Sequence, residues 1–320
     1  MQLDHLCFVR AADAAHSFGM PRIALATSAK YPKLTDDDRL LLQPLAKCGL
    51  EAIAAIWNDS NFPWSSCDAV VIRSCWDYHL KSGEFLRWIA SLEKAGLVVL
   101  NSPTLIRWNT NKAYLRDLES RGVAIVPTQW PEPGSPMDLQ EQLQRIGWQK
   151  AVVKPRISAT AHSTSLVTQD NASSAQGLFD ELRHGVGVML QKFVGRISEE
   201  GEWSLIFFGG GFSHAVVKIP KPGDFRVQND FGGSSRTAEP PACAMESATR
   251  ILSLLDPAVY ARVDGVVEDG LFLLMELELI EPGLFLHGHA GAPTRFASAI
   301  AQQSAHGDKG PRSSTGHALG

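Results

Sequence analysis

The run Ala261-Arg-Val-Asp-Gly265-Val-Val-Glu268-Asp-Gly270-Leu-Phe-Leu-Leu-Met275-Glu-Leu-Glu-Leu279-Ile-Glu281-Pro282 reads as two apolar strands joined by a turn, with acids set among core residues. Glu276 and Glu278 alternate with Leu277 and Leu279, so both carboxylates project from one face, about 6.6 Å apart along the strand, while the leucines enter the core. Taking Glu268-Asp269-Gly270 as a three-residue hairpin loop with Gly270 left-handed sets Asp264 opposite Leu274, on the same side as the two glutamates. Three acids then converge on one patch. Such a cluster in an apolar hairpin is costly unless a cation neutralises it, and all-oxygen ligands suit magnesium. An exposed sheet face with its acids in water is the other reading of this motif alone.

Around the hairpin the chain is strand-dense, with strands expected at 151–154, 164–168, 186–193, 202–208, 212–219, 260–267 and 271–280 and helices near 172–183 and 243–255. Strands that follow one another without helices indicate antiparallel sheets. The first hundred residues differ. Strands at 22–27, 50–57, 68–73 and 97–100 alternate with helices at 36–47 and 82–95, the second capped by Ser82 and ended by Gly96, which is the pattern of a parallel α/β unit. The fold class expected is therefore α+β with an α/β N-terminal unit. Two short helices run up to Arg121, a strand is expected around Val123, and the Pro-rich stretch 127–136 reads as a hinge. Residues 1–20 read as an extension, with Met20 a candidate start, 21–103 as the first domain, 104–303 as the second, and 304–320 as a disordered tail.

The 320 residues are 44% hydrophobic and 20% charged, which indicates a folded globule, and 30 basic against 34 acidic residues give no general attraction to nucleic acid or an anionic membrane. No apolar run approaches the roughly 20 residues of a membrane span, and a cytoplasmic location is expected. Five cysteines without a C-x-x-C pair support neither a disulfide framework nor a zinc ribbon. The absence of any Gly-Lys dipeptide excludes the P-loop, and no G-x-S-x-G or H-E-x-x-H occurs. Gly209-Gly210-Gly211 lies between strand patterns and reads as a hairpin turn.

Several basic residues precede the acids. Lys112 opens a helix, a poor dipole position for a cation unless it serves an anion. Lys154 ends the strand Ala151-Val-Val-Lys154-Pro155, and Arg226 lies in the polar loop Gly223-Asp-Phe-Arg226-Val-Gln228. In this order the pieces resemble the ATP-grasp superfamily of carboxylate-amine ligases over about residues 21–300. Arg73-Ser-Cys-Trp-Asp77-Tyr and Glu276-Leu-Glu-Leu-Ile-Glu-Pro-Gly-Leu-Phe-Leu286 look nearest to glutathione-synthetase-like members, a group that includes cycloserine-forming cyclo-ligases acting on O-ureido-serine.

The resemblance implies an ATP-grasp fold, with a central lid at about 127–193 and a C-terminal subdomain at about 194–303. It implies that Lys112 and Lys154 hold the nucleotide, that Gln191, Phe193 and Val194 form the adenine hinge, and that Glu202 stands near the ribose. Arg226, with Lys154, serves the transferred phosphate and Gln228 the substrate. Asp264, Glu276 and Glu278 hold Mg2+ or Mn2+, with Glu278 where relatives usually carry Asn. ATP would phosphorylate a small-molecule carboxylate and an amine would displace phosphate, in two molecules or within one; members are often homodimers. Arg73 and Asp77, at the C-terminal end of a strand, are assigned to a substrate carboxylate and amine. A nucleotide-binding regulator that keeps the fold without turnover is the alternative.

Overall fold

Between Arg22 and Leu100 short apolar strands alternate with helices, and strands buried on both faces pair in parallel because each crossover returns across the sheet. The computed structural model describes residues 19–306 except 135, 160–162, 224, 225 and 228–231. β1 (Arg22–Thr27), α1 (Asp36–Arg39), α2 (Leu42–Lys47), β2 (Glu51–Ile56), β3 (Ala69–Ile72), α3 (Ser82–Lys94) and β4 (Val98–Leu100) build a parallel sheet of order β2-β1-β3-β4. The single helix expected over 36–47 is broken at Leu40 and Leu41. Pro44 explains the break: it cannot donate to the Leu40 carbonyl, so it sits in the first turn of a new helix. Ser82 is the first helical residue of α3 rather than its cap, while Gly96, at φ +72°, ends the helix in the left-handed conformation.

α4 (Pro103–Thr110) and α5 (Tyr114–Ser120) lead into a second sheet. β5 (Thr128–Gln129), α6 (Leu139–Ile146), β6 (Lys150–Pro155), β7 (Ser165–Thr168), α7 (Ala172–His184) and β8 (Val188–Lys192) follow, with strand order β5-β8-β6-β7 and both helices packed on a separate core that includes Leu143, Val153 and Phe179. Part of the Pro-rich stretch thus pairs as an edge strand, Thr128 opposite Gln191. α6 was not expected from periodicity over so short a span. Its signal is terminal: Asp138 accepts from the Glu141 amide and Gly147, at φ +70°, closes the helix.

α8 (Ile197–Glu200), β9 (Glu202–Phe208), β10 (Gly211–Ile219), β11 (Ser234–Thr237), α9 (Ala242–Ser253), β12 (Tyr260–Glu268), β13 (Leu271–Glu278) and α10 (Ala292–His306) complete the chain. The five strands form an antiparallel sheet of order β11-β10-β9-β12-β13. Gly209 and Gly210, both at positive φ, form the turn between β9 and β10. α10 runs two residues beyond Ser304, where a tail was expected to begin.

The β12–β13 hairpin differs from the expected register in two compensating ways. Its turn has two residues, Asp269 at φ 52° and Gly270 at φ 77°, so Glu268 pairs with Leu271. By itself that register would place Asp264 opposite Met275 and turn it away from Glu276. Met275 is an extra residue in β13, however: Gly265 pairs with Leu274 and Asp264 with Glu276. Gly265 is required beside the bulge, since a Cβ there would lie 2.5 Å from the Leu273 carbonyl oxygen. The acids therefore share a face through a short turn and a bulge, not through a three-residue loop.

β13 is the last strand of its sheet, and an unpaired edge beside a cluster of charges would be open to water. Asn109 of α4 stands in for a missing strand: its side chain donates to the Leu277 carbonyl at 2.8 Å and accepts from the Leu279 amide at 2.9 Å. The Tyr114 hydroxyl accepts from the Leu277 amide, also at 2.9 Å. The strand expected around Val123 reduces to a bridge of Ile125 with Leu274 along the same edge. Together these contacts fix where Glu276 and Glu278 point.

Candidate active site

The open face of the hairpin, the starts of α5 and β9, the end of β10 and the facing strands β6 and β8 enclose a cavity of about 360 Å³. Leu277 and Leu279 are buried beneath it, at 1% and 0% exposure, as the alternation requires. Asp264, Glu276 and Glu278 each bring a carboxylate oxygen within 4.8 Å of the others. The donor set is all oxygen and three-membered, and small rotamer adjustments would suit a hard divalent ion.

Basic groups restrain these acids. Lys112 Nζ lies 2.9 Å from Glu276 and donates to the Ser158 carbonyl at 2.8 Å. Lys218 Nζ lies 2.6 Å from Glu202 and 3.3 Å from Asp264. Arg262 pairs with Asp264 at 2.8 Å and also with Glu278. Lys154 Nζ donates to Gln191 Oε1 at 2.7 Å.

Protonation preferences follow from these contacts. Burial disfavours the Asp264 anion, but Arg262 and Lys218 outweigh it and hold the carboxyl at about 2. Glu276 is likewise lowered against the cost of burial, by Lys112. Burial dominates at Glu278, held up to about 7 despite Arg262, and at Glu281, held up to about 8, where Glu278 adds repulsion. Lys154 is lowered by burial, whereas Lys112, equally buried, is raised because Glu276 lies against it.

The cavity gathers most of the residues named from sequence: Lys112, Lys154, Gln191, Phe193, Val194, Glu202, Arg226, Asp264, Glu276 and Glu278 all line it. Gln228 lies outside the described residues. Arg73 and Asp77 are not on its wall. Arg73 is 2% exposed, and its guanidinium donates to Asp38 at 2.9 Å and to the Pro282 carbonyl at 2.8 Å. Asp77 faces away and accepts from Trp57 Nε1 at 2.9 Å, while its neighbours Trp76 and Tyr78 reach the cavity. Carboxyl-end position on a strand thus selected the right loop but the wrong side chains.

Lys218, Arg262 and Glu281 also line the cavity and were not named as site residues from the sequence. Arg262 is legible in retrospect, since alternation puts it on the face of Asp264. For Lys218 the only signal was a lysine following the apolar run Ala215-Val-Val217 near the end of its strand, much as at Lys154.

Comparison with known proteins adds independent findings. Residues 23–101 match the protein family described as D-cycloserine synthetase DcsG, N-terminal domain. The chain is 31% identical over 297 residues to the cycloserine biosynthesis protein DcsG of Streptomyces lavendulae, covering 88% of this chain and 98% of that one. It is similar to the crystal structure of D-cycloserine synthetase DcsG, with a TM-score of 0.80, 29% identity, and coverage of 88% of this chain and 99% of the other. The D-alanine–D-alanine ligase of Bacillus anthracis shares the fold, with a TM-score of 0.66 at 16% identity over 89% of this chain and 98% of that one.

Proposed function

The chain belongs to the DcsG family of ATP-grasp ligases, which form carbon–nitrogen bonds at the expense of ATP, and on that premise we propose that it closes a ring within one modified amino acid. The substrate class is a serine-like amino acid bearing a ureido or hydroxylamine-type nitrogen on its side chain. The observation that carries the placement of the chemistry is the convergence of Asp264, Glu276 and Glu278 with Lys112, Lys218 and Arg262 at one cavity.

In this reading the substrate carboxylate attacks the γ-phosphorus of ATP, a carboxyl O–P bond forms, and ADP leaves. The side-chain nitrogen then attacks the acyl carbon, phosphate leaves, and the nitrogen loses a proton. The protein's share is alignment and charge placement rather than a side-chain nucleophile. Lys112 and Lys154 grip phosphate oxygens; Phe193 and Val194 border the adenine, with Gln191 holding Lys154, and Glu202 stands toward the ribose. Arg226 serves the transferred phosphoryl group, joined by Lys218 and Arg262, and Gln228 serves the substrate. The sheet of β5 to β8, about 127–193, acts as the lid over the nucleotide against 194–303.

Asp264, Glu276 and Glu278 hold divalent ions, magnesium or manganese. Their fit rests on charge. Among the described residues six basic groups (Lys112, Lys154, Lys192, Lys218, Arg226, Arg262) and five acids (Glu202, Asp264, Glu276, Glu278, Glu281) line the cavity. Adding the roughly four negative charges of ATP leaves about three uncompensated, which two divalent ions would more than offset, and such ions would supply charge neutralisation to the phosphates when bound.

ADP release with O-ureido-D-serine as sole amino acid tests the reading. Magnesium-dependent ADP formation with a cyclic product supports it. ADP formation only after a second, separate amine is added would replace ring closure by ligation of two molecules.

A further inference from the structure

Four of the five cavity acids have a basic partner. Glu202 is paired with Lys218, Asp264 with Lys218 and Arg262, Glu276 with Lys112, and Glu278 with Arg262. Glu281 differs. It is 8% exposed and lines the cavity, and among the described residues it forms no ion pair; Lys112, whose ion-pair partner is Glu276, acts on it only from a distance. A buried carboxylate with no counter-charge in contact is disfavoured by its lost hydration, and proteins keep such groups where a ligand supplies the cation.

Its main chain, by contrast, is held firmly. Trp76 Nε1 donates to the Glu281 carbonyl at 2.9 Å, Arg73 to the Pro282 carbonyl at 2.8 Å and Arg262 to the Gly283 carbonyl at 3.0 Å. Trp76 is itself braced edge-on by Tyr31, with ring centroids 5.2 Å apart. Three donors from two sheets thus fix the turn after β13 while leaving the Glu281 side chain for the cavity. Trp76 and Tyr78 line the same cavity, and aromatic rings beside a carboxylate favour an organic cation over a metal ion.

We infer that Glu281 binds the free ammonium group of the substrate, so that the enzyme selects α-amino acids over the corresponding simple acids. Arg73 and Trp76 act as positioning residues for that carboxylate. The inference rests on the ligase reading above, because it takes the cavity as the place where substrate meets nucleotide.

The test is calorimetric titration of the full chain, saturated with Mg·ADP, by D-cycloserine and by isoxazolidin-3-one, which is the same ring without the amine. The wild type is expected to bind D-cycloserine at least tenfold more tightly than its deaminated analogue. In Glu281→Gln that ratio falls to near one, with ADP affinity within twofold of wild type. Glu281→Asp, which keeps the charge but retracts it, retains part of the ratio and guards against a misfolded glutamine variant. Equal affinity for the two ligands in the wild type, or a tenfold preference surviving in Glu281→Gln, would overturn the inference. A wild type that binds no ADP at all would instead overturn the ligase reading of the cavity, so the two failures are told apart by the nucleotide titration.

Discussion

Two buried arginines carry opposite lessons. Arg73 lies under the parallel sheet with every nitrogen of its fork committed to Asp38, the Ile72 carbonyl or the Pro282 carbonyl, and with the Tyr260 and Phe296 rings each 5.4 Å from its centre. Asp38 in turn accepts from Ser74. Nothing in that cluster is left to bind a ligand. Arg262 fills its fork as well, with Asp264, Glu278 and the Gly283 carbonyl, but it shares Asp264 with Lys218 and lines the cavity together with both acids, one of them a glutamate whose proton affinity is raised to about 7. What the partners face, not how many there are, separates a charge that holds the fold together from one placed for chemistry.

The sharpest way to break this contrast is Arg73→Met, which strands Asp38 in the core and should cost about 3–5 kcal/mol in chemical unfolding. A cost below 1 kcal/mol would contradict the structural role.

If Glu276 holds the divalent ions as proposed, Glu276→Gln should lower turnover by about 10²–10³ at nearly unchanged stability, because the charge lost is one placed for the reaction. Turnover within twofold of wild type would remove Glu276 from the site.

A third buried group sharpens the comparison through pH. His214 is 2% exposed, with Nε2 donating to the Leu284 carbonyl and Nδ1 accepting from Ser213. Burial lowers its pKa to about 4. Since the folded value lies below the unfolded one of about 6.5, the unfolded chain takes up the proton first, and stability falls as pH drops from about 6.5 toward 4. His214→Gln should flatten that loss by up to about 3 kcal/mol at pH 4, read from urea unfolding; an unchanged acid slope would show that other groups set it. The smallest effect is expected for Asp77→Asn, less than twofold in KM, because its partner is Trp57; a tenfold rise would return Asp77 to the substrate.

Much of the site was legible because it lies along strands, where a two-residue period assigns faces without further knowledge. Glu276 and Glu278 were set on one face that way, Asp264 joined them through a register whose turn and bulge differ from the expected one but compensate, and Lys112 and Lys154 were singled out by the resemblance more than by their own positions. Arg73 and Asp77 were misassigned because strand-end position identifies a loop but not which of its side chains find partners inside the protein. Lys218 was overlooked since its meaning depends on β9 and β12, far from it in sequence.

The chain's own order of residues determined the alternation of strands and helices, the existence of the acidic hairpin, and the pair of glutamates above a leucine layer, all set by local geometry and side-chain period. The tertiary structure alone decided that Met275 bulges, that Asn109 closes the β13 edge, and that Arg73 is spent on a carbonyl 209 residues away. Those outcomes depend on which distant donors and acceptors meet when water is excluded, and no local pattern encodes that pairing.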